Sequence, residues 1–107
     1  MLLNVQNMSL TGLAPAFGNA DAAGDTFPNN GRTFLHVKNA GAAPVDVTVN
    51  SQQACNQGFD HNAMASVPAG GERIIGPFPP GRFNNSQGQC EVTYSSVDNV
   101  TVAAISE

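Results

Sequence analysis

The strongest constraint on the fold of this chain is the alternation of apolar and polar residues in the stretch PVDVTVN. Val45, Val47 and Val49 fall on one side of an extended backbone, whereas Asp46 and Thr48 fall on the other. This period of two predicts a strand with one face in the core and one face in solvent. No segment shows the apolar period of a helix of ordinary length. The sequence therefore predicts an all-β protein.

Two hairpins are predicted, one around this strand and one near the C-terminus. RTFLHVKN is rich in strand-forming residues and AGAAP separates it from the valine strand, which predicts a hairpin of 33–38 with 45–50. QCEVTYSS and NVTVAAIS are separated by the turn-rich SVDN, which predicts a second hairpin of 89–95 with 99–106.

The middle of the chain predicts two shorter strands on either side of a Pro-Ala-Gly-Gly turn. These strands are expected near 62–67 and 72–76, and the pleat places at least one of Ile74 and Ile75 in the core. The prolines that follow end the ladder, because proline has no N–H to donate.

The length and the turn spacing together predict the architecture. The 107 residues are expected to form a single domain, 1–107. Six to eight short strands predict an antiparallel β-sandwich, either jelly-roll-like or immunoglobulin-like (Ig-like). Residues 1–31 are expected to form an extended N-terminal arm and loop, and residues 32–107 the core sandwich.

Few residues of the chain carry charge. Charged residues are 11% of the sequence, against about 25% in an average soluble domain, and twelve asparagines carry much of the polar load. The net charge is −4 with only four cations, so nucleic acid is not expected as a partner. No Lys or Arg precedes Arg32 and no apolar run has signal length, so neither a secretory leader nor a membrane partner is expected.

Residues able to carry catalysis are also few. His36 and His61 are the only histidines, and His36 lies in the middle of a predicted strand. Cys55, Asp60 and His61 share a loop, but the surroundings of a thiol-hydrolase nucleophile are absent and the chain is short for such an enzyme. Cys55 and Cys90 form no metal-spaced cluster, and two reduced thiols are favoured over a disulfide. The protein is expected to be neither an enzyme nor a cofactor-binding protein.

One acidic loop contains oxygen ligands of the kind that calcium prefers. DAAGDTFPNNG offers the carboxylates of Asp21 and Asp25 and the amides of Asn29 and Asn30. Their spacing does not match an EF-hand loop, and Asx turns that cap the loop's own backbone are favoured. No metal site is predicted.

The segment from Gly76 to Gly81, called the proline-rich segment below, is predicted to form a stiff protrusion. Its three prolines preset the backbone, and it carries Phe78. Arg73, Phe78, Pro79 and Arg82 are therefore candidate interface residues, since arginine and aromatic side chains are enriched at protein interfaces. The alternative is that Phe78 closes one end of the sandwich.

The N-terminal arm supplies a second set of candidate interface residues. It carries the apolar residues Leu2, Leu3, Val5, Met8 and Leu10. These residues could add a strand to the sheet of a neighbouring molecule. Equally, the arm could form an edge strand of its own sheet.

Three stretches of the sequence resemble a family of small bacteriophage virion proteins. They are GRTFLHVKNAGAAPVDVTV, SVPAGGERIIGPFPPGRFNN and VTYSSVDNVTVAAI, within about residues 30–106. The resemblance implies a β-sandwich made in the host cytoplasm and attached to the capsid surface of the virion. It implies the major capsid protein as partner and a homo-oligomer, with a trimer favoured.

The function expected on these grounds is that of a non-enzymatic capsid decoration or cement protein, which binds the assembled head and stabilises it. One alternative is a head-completion, neck or tail component of the particle. Another, from a different class, is a carbohydrate- or receptor-binding β-sandwich module. The aromatic residues are six Phe and one Tyr with no Trp, a composition that does not favour a sugar-binding platform.

Overall fold

The computed structural model describes residues 1–52 and 62–107. Their regular structure is almost entirely β, in agreement with the predicted fold class. The elements are β1 (Val5–Asn7), β2 (Gly18–Asn19), β3 (Asp25–Pro28), β4 (Thr33–Asn39), β5 (Val45–Val49), β6 (Ala63–Val67), β7 (Glu72–Ile75), the short helix α1 (Pro80–Phe83), β8 (Gln89–Tyr94) and β9 (Val100–Ser106). Among these residues no helix has the length and hydropathy needed to cross a membrane.

The strands form two sheets packed against each other. One sheet has four antiparallel strands in the order β3-β8-β5-β6. The other has the order β1-β9-β4-β7, and β2 also pairs with β9. One edge of β9 pairs with β4, and the opposite edge pairs with two short strands. Residues 101–102 of β9 pair with the antiparallel strand β2, and residues 104–106 pair with the parallel strand β1. The edge strand beside β9 is therefore divided into two short pieces.

The pairing of the strands identifies the sandwich as a jelly roll. Strands pair in nested fashion, β2 with β9, β3 with β8, β4 with β7 and β5 with β6, all antiparallel. This is the pattern of one long two-stranded ribbon. The further pairs β4·β9 and β5·β8 arise because the ribbon is rolled up. Eight strands in two sheets with this order form a jelly roll.

The two predicted hairpins are wrong, although their strands are present. β4 and β5 lie in different sheets, and so do β8 and β9. Local alternation predicts where a strand lies and which face is buried, but the partner of the strand depends on contacts far along the chain. In this molecule both connections cross from one sheet to the other.

A buried asparagine holds the first of these crossings. Asn39 is 2% exposed, and its side-chain amide donates hydrogen bonds to the carbonyls of Ala43 and Val67. Its side-chain oxygen accepts a hydrogen bond from the N–H of Gly41. These bonds turn the chain out of β4 before it can fold back beside it, which explains why AGAAP is not a hairpin turn.

The sandwich also begins earlier than the sequence predicted. Strands β1, β2 and β3 all lie within the segment that was expected to be an arm and loop. β3 pairs along its length with β8, and Phe27 in β3 is fully buried. The alternation in DTFP was hidden by the Gly, Pro and Asn residues around it, which are typical of loops.

The core lies between the sheets and follows the predicted alternation. Val45, Val47 and Val49 are buried, whereas Asp46 is exposed. Ile75 packs against the core and Ile74 points outward, as the pleat predicted. The buried cluster consists of Ala20, Phe27, Leu35, Val37, Val45, Val47, Val49, Val67, Phe78, Phe83, Cys90, Val92, Val100, Val102 and Ala104.

Candidate interaction surface

The N-terminal segment is joined to both sheets of its own chain. The N–H of Leu3 donates to the carbonyl of Thr26 in β3, and the N–H of Thr26 donates to the carbonyl of Met1. A few residues later, Val5 pairs with Ala104 in β9. The segment thus lies across one side of the sandwich as an edge strand instead of extending away as a free arm.

The acidic loop is occupied by groups of the chain itself. The amino group of Met1 donates to the carbonyl of Gly24 and lies 3.5 Å from the buried carboxylate of Asp25 and 3.6 Å from that of Asp21. The N–H of Ala23 donates to Asp21 Oδ1, which forms the predicted Asx turn. No group of three or more His, Cys, Asp or Glu residues that could hold a metal occurs among residues 1–52 and 62–107.

Tyr94 is the neutral partner of the same buried carboxylate. Its hydroxyl donates to Asp25 Oδ2 over 2.7 Å. Burial raises the pKa of Tyr94 well above its ordinary value, and the hydrogen bond to Asp25 and the negative charges of Asp25 and Asp21 raise it further. Tyr94 therefore stays protonated beside the Asp25 carboxylate, and their hydrogen bond joins β8 to β3. A protonated phenol is not a nucleophile, so this pair is structural.

Residues 8–16 form a loop, called the N-terminal loop below, that is closed at its base by one side chain. Gln6 Nε2 donates to the carbonyl of Ala16 over 2.8 Å, and the N–H of Ala16 donates to Gln6 Oε1 over 2.9 Å. The N–H of Met8 donates to the carbonyl of Ser106. Because both ends are bound, the loop has a defined base from which its tip projects.

Large apolar side chains are exposed mainly in this N-terminal region. The side chain of Leu10, near the loop tip, is fully exposed (108%). Four of the six exposed large apolar side chains in the described residues lie within the first ten residues; the six are Met1, Leu2, Met8, Leu10, Met64 and Ile74. Leu3 and Val5, also predicted as interface residues, instead pack against the core.

An apolar groove, called the N-terminal groove below, lies beside the loop where the edge strand is divided. Its volume is about 470 Å³, within the range of about 300–1,000 Å³ typical of ligand pockets. It is lined by Met1, Leu2, Leu3, Asn4, Gln6, Ala16, Phe17, Gly18, Val102, Ala103 and Ala104. No lining residue carries an ionisable side chain.

The outer face of the five-stranded sheet is partly aromatic. Phe17 packs edge-on against His36 with ring centres 5.0 Å apart, and Lys38 Nζ lies 4.1 Å from the centre of the Phe17 ring. His36 Nε2 lies 3.3 Å from Glu72 Oε1. Phe17 therefore packs against the Lys38 ammonium and the His36 ring together, and these contacts position both side chains on this face of the sheet.

The proline-rich segment does not form the predicted protrusion, because Phe78 is only 3% exposed. Its ring packs between Phe27 and Phe83, with ring centres 5.7 and 5.6 Å away. A Cβ atom added at Gly76 would lie only 3.1 Å from the Cα of Phe34. Gly76 also has a φ of +121°, which favours glycine. Phe78 therefore closes one end of the core. The expectation that it projects as an interface residue is wrong, and the alternative, that it closes one end of the sandwich, is correct.

Asparagine side chains hold the proline-rich segment in place. Asn29 Nδ2 donates to the carbonyl of Phe78 over 2.9 Å and to Asn84 Oδ1 over 2.7 Å. Asn84 Nδ2 donates back to the carbonyl of Asn29. Asn29, first considered as a calcium ligand, is thus a buried structural residue.

The other candidates near this segment lie at the surface. Arg73, Pro79 and Arg82 are all exposed. Arg73 donates from its guanidinium to the carbonyl of Glu72, and the guanidinium of Arg82 lies 5.1 Å from the centre of the Phe83 ring. They remain candidate contacts, together with Leu2, Met8 and Leu10.

The cysteine and histidine candidates for catalysis divide between described and undescribed residues. Cys55, Asp60 and His61 lie outside the described residues. Cys90 is a free, buried thiol whose Sγ donates to Asn84 Oδ1. Burial raises the pKa of Cys90 from its ordinary 9.0 to about 11, so the thiolate is disfavoured at neutral pH.

Sequence reasoning missed Gln6, Phe17 and the groove between them. Gln6 stood in a segment read as apolar, and Phe17 stood in one read as loop. The one available signal was the absence of any ionisable side chain before Asp21.

Comparison with family models, with curated proteins and with solved structures found no significant match to this chain.

Proposed function

We propose that this protein is a non-enzymatic structural protein of a bacteriophage particle that attaches to the outside of the assembled head and stabilises it. The observation that carries the proposal is the exposed apolar N-terminal region on a weakly charged molecule. Exposed apolar residues grouped in one region mark contact surfaces. A molecule with few charges repels its neighbours little when many copies pack on one shell.

The fold is consistent with this role. Jelly rolls occur in viral capsid proteins, but also in lectins and cupins, so the fold by itself only raises the expectation. The resemblance of the three stretches within about residues 30–106 to phage virion proteins favours the viral use. Attachment to the major capsid protein at many equivalent positions would give high avidity from individually modest contacts.

The proposal is tested on purified particles. Mass spectrometry should find the protein in virions at a copy number comparable with that of the capsid subunits. Heads prepared without the protein should rupture at a lower temperature, and addition of the purified protein should restore the rupture temperature. Heat-denatured protein added in the same amount is the control.

Other outcomes would replace the proposal. A copy number far below that of the capsid subunits would indicate a head-completion, neck or tail component. Absence from virions together with binding to an immobilised glycan would indicate a carbohydrate-binding module.

A further inference from the structure

We infer that the side chain of Arg73 closes the outer edge of β7 and prevents a second copy of this chain from adding its own β7 to that edge. The contact is a hydrogen bond of 2.7 Å from Arg73 Nη1 to the carbonyl of Glu72. The inference concerns the purified protein and does not rest on the proposed attachment to a phage head. In the strand order β1-β9-β4-β7, this edge lies on the far side of the sheet from β1 and the exposed N-terminal region.

β7 is an edge strand with one side unpaired. It pairs with β4, and no other strand of residues 1–52 and 62–107 pairs with it. An unpaired strand edge offers its N–H and C=O groups to any second strand. Ile74, which is 64% exposed, adds an apolar, strand-forming side chain beside this edge. The edge therefore needs protection if the molecule is not to pair with its own copies.

The pairing with β4 fixes which backbone groups of β7 point to the open edge. The N–H of Asn39 donates to the carbonyl of Gly71, so the backbone of residue 71 points toward β4. Successive residues of an antiparallel strand point in alternate directions, so the backbone of Arg73 also points toward β4. The N–H and C=O groups of Glu72 and Ile74 therefore point outward. The carbonyl that Arg73 binds is one of these outward groups.

The side chain of Arg73 reaches this carbonyl from the inner face of the sheet. Arg73 is directly opposite Val37 of β4, and Val37 is fully buried. Directly opposite residues have their side chains on the same face, so the Arg73 side chain leaves β7 on the core side. Arg73 is nevertheless exposed, because its side chain turns around the edge to the Glu72 carbonyl. An inward-pointing charged residue is one of the devices that protect natural edge strands.

The charges of β7 also oppose each symmetric register with a second copy. Outward-pointing residues pair only with outward-pointing residues in an antiparallel sheet. Pairing Glu72 with the second copy's Ile74 places the two Arg73 side chains opposite each other, and pairing Glu72 with itself opposes two carboxylates. Like charges directly opposite are destabilising. Pairing Ile74 with itself places Arg73 opposite Ile75, which removes the guanidinium from water at a cost.

Sedimentation velocity of the full-length protein tests the inference. Arg73→Val removes both the hydrogen bond and the charge and keeps a strand-forming residue. The variant should associate at concentrations about ten- to hundredfold below any association of the wild type, the factor expected for one hydrogen bond to a charged group. Circular dichroism and thermal unfolding should match the wild type, because Arg73 is exposed.

Further variants show whether the association uses the β7 edge. Arg73→Lys keeps a positive charge opposite its own copy and should associate less than Arg73→Val. Ile74→Pro, added to Arg73→Val, removes an N–H that points to the open edge and is not bonded to β4. It should abolish the association with the fold retained. Arg32→Val makes the same change in net charge elsewhere in the chain and should have no effect.

Amide hydrogen exchange locates the contact on the molecule. In the monomeric wild-type protein the amides of Glu72 and Ile74 should exchange rapidly, because they point outward from the edge. In Arg73→Val the same two amides should become protected as the protein concentration rises.

Several results would overturn the inference. Arg73→Val that associates no more readily than the wild type would show that Arg73 closes nothing. Association of that variant that survives Ile74→Pro, or that leaves the Glu72 and Ile74 amides unprotected, would place the contact elsewhere. Slow exchange of both amides in the monomeric wild-type protein would show that the edge is already paired within the chain.

Discussion

The N-terminal loop and the proline-rich segment are both rich in apolar residues, yet they lie in opposite environments. Leu10 near the loop tip is fully exposed, whereas Phe78 in the proline-rich segment is buried. The N-terminal loop leaves from β1 and returns to β2, and both strands pair with the same edge of β9. It therefore spans no opening of the core.

The proline-rich segment follows a different course. It leaves β7 in one sheet and leads through α1 to β8 in the other. A connection between sheets crosses the end of the sandwich, where an aromatic side chain can enter the core. In these two connections, the elements that are joined, more than the composition of the connection, decide whether its apolar residues are buried.

The largest expected effect is that of removing the aromatic ring from the proline-rich segment. Phe78→Ala should lower the free energy of unfolding by about 3–5 kcal/mol, because it leaves a cavity beside Phe27 and Phe83. Urea unfolding followed by circular dichroism measures this loss. The matched change in the N-terminal loop, Leu10→Ala, should alter stability by less than about 0.5 kcal/mol. Equal effects of the two changes would contradict the contrast between buried segment and exposed loop.

Removing the polar anchor of the same segment should have the next largest effect. Asn29→Ala leaves the carbonyl of Phe78 without its donor and should cost about 1–3 kcal/mol of unfolding free energy. Asn4→Ala, at an exposed asparagine in the N-terminal segment, serves as the control in the same urea titration. A similar small change for both would mean that the segment is held by packing alone.

The buried thiol beneath Asn84 should make stability depend on alkaline pH. The pKa of Cys90 is raised to about 11 by burial, from an ordinary 9.0. Folding therefore favours the protonated thiol. This contribution is fully present below the ordinary pKa and is lost as the pH rises through 9.0 toward about 11.

The measurement is the free energy of unfolding from neutral pH to about pH 11, in a Cys55→Ser background. Cys90→Ala should flatten part of the alkaline decline. Tyr94→Phe should flatten a separate part at higher pH, because the pKa of Tyr94 is also raised in the folded state. If the decline is the same in all three proteins, neither group titrates differently on unfolding.

The smallest expected effect concerns the base of the N-terminal loop. Gln6→Ala removes two hydrogen bonds to Ala16 and should cost about 1 kcal/mol or less, because the bonds are solvent-exposed. Hydrogen exchange at the Ala16 amide should speed up, whereas the exposed-site control Gln87→Ala should leave it unchanged. Unchanged protection in Gln6→Ala would show that the loop base is held by β1 and β2 alone.

Much of the local structure was predictable from the sequence. The valine alternation placed Val45, Val47 and Val49 in the core, and the pleat of β7 placed Ile75 inward and Ile74 outward. These outcomes depend only on which side of an extended chain each residue occupies. Of the candidate contact residues, Leu2, Met8 and Leu10 are exposed, as a contact would require, whereas Phe78 is buried.

The sequence by itself determined that the chain is β-structured, weakly charged and free of ionisable side chains before Asp21. Only the tertiary structure decided that β4 pairs with β9 and β7 instead of β5, and that Phe78 fills the end of the core. The physical reason is the sequence separation over which each determinant acts. Alternation acts over neighbouring residues, whereas the rolling of the ribbon brings together strands such as β2 and β9 from opposite ends of the chain.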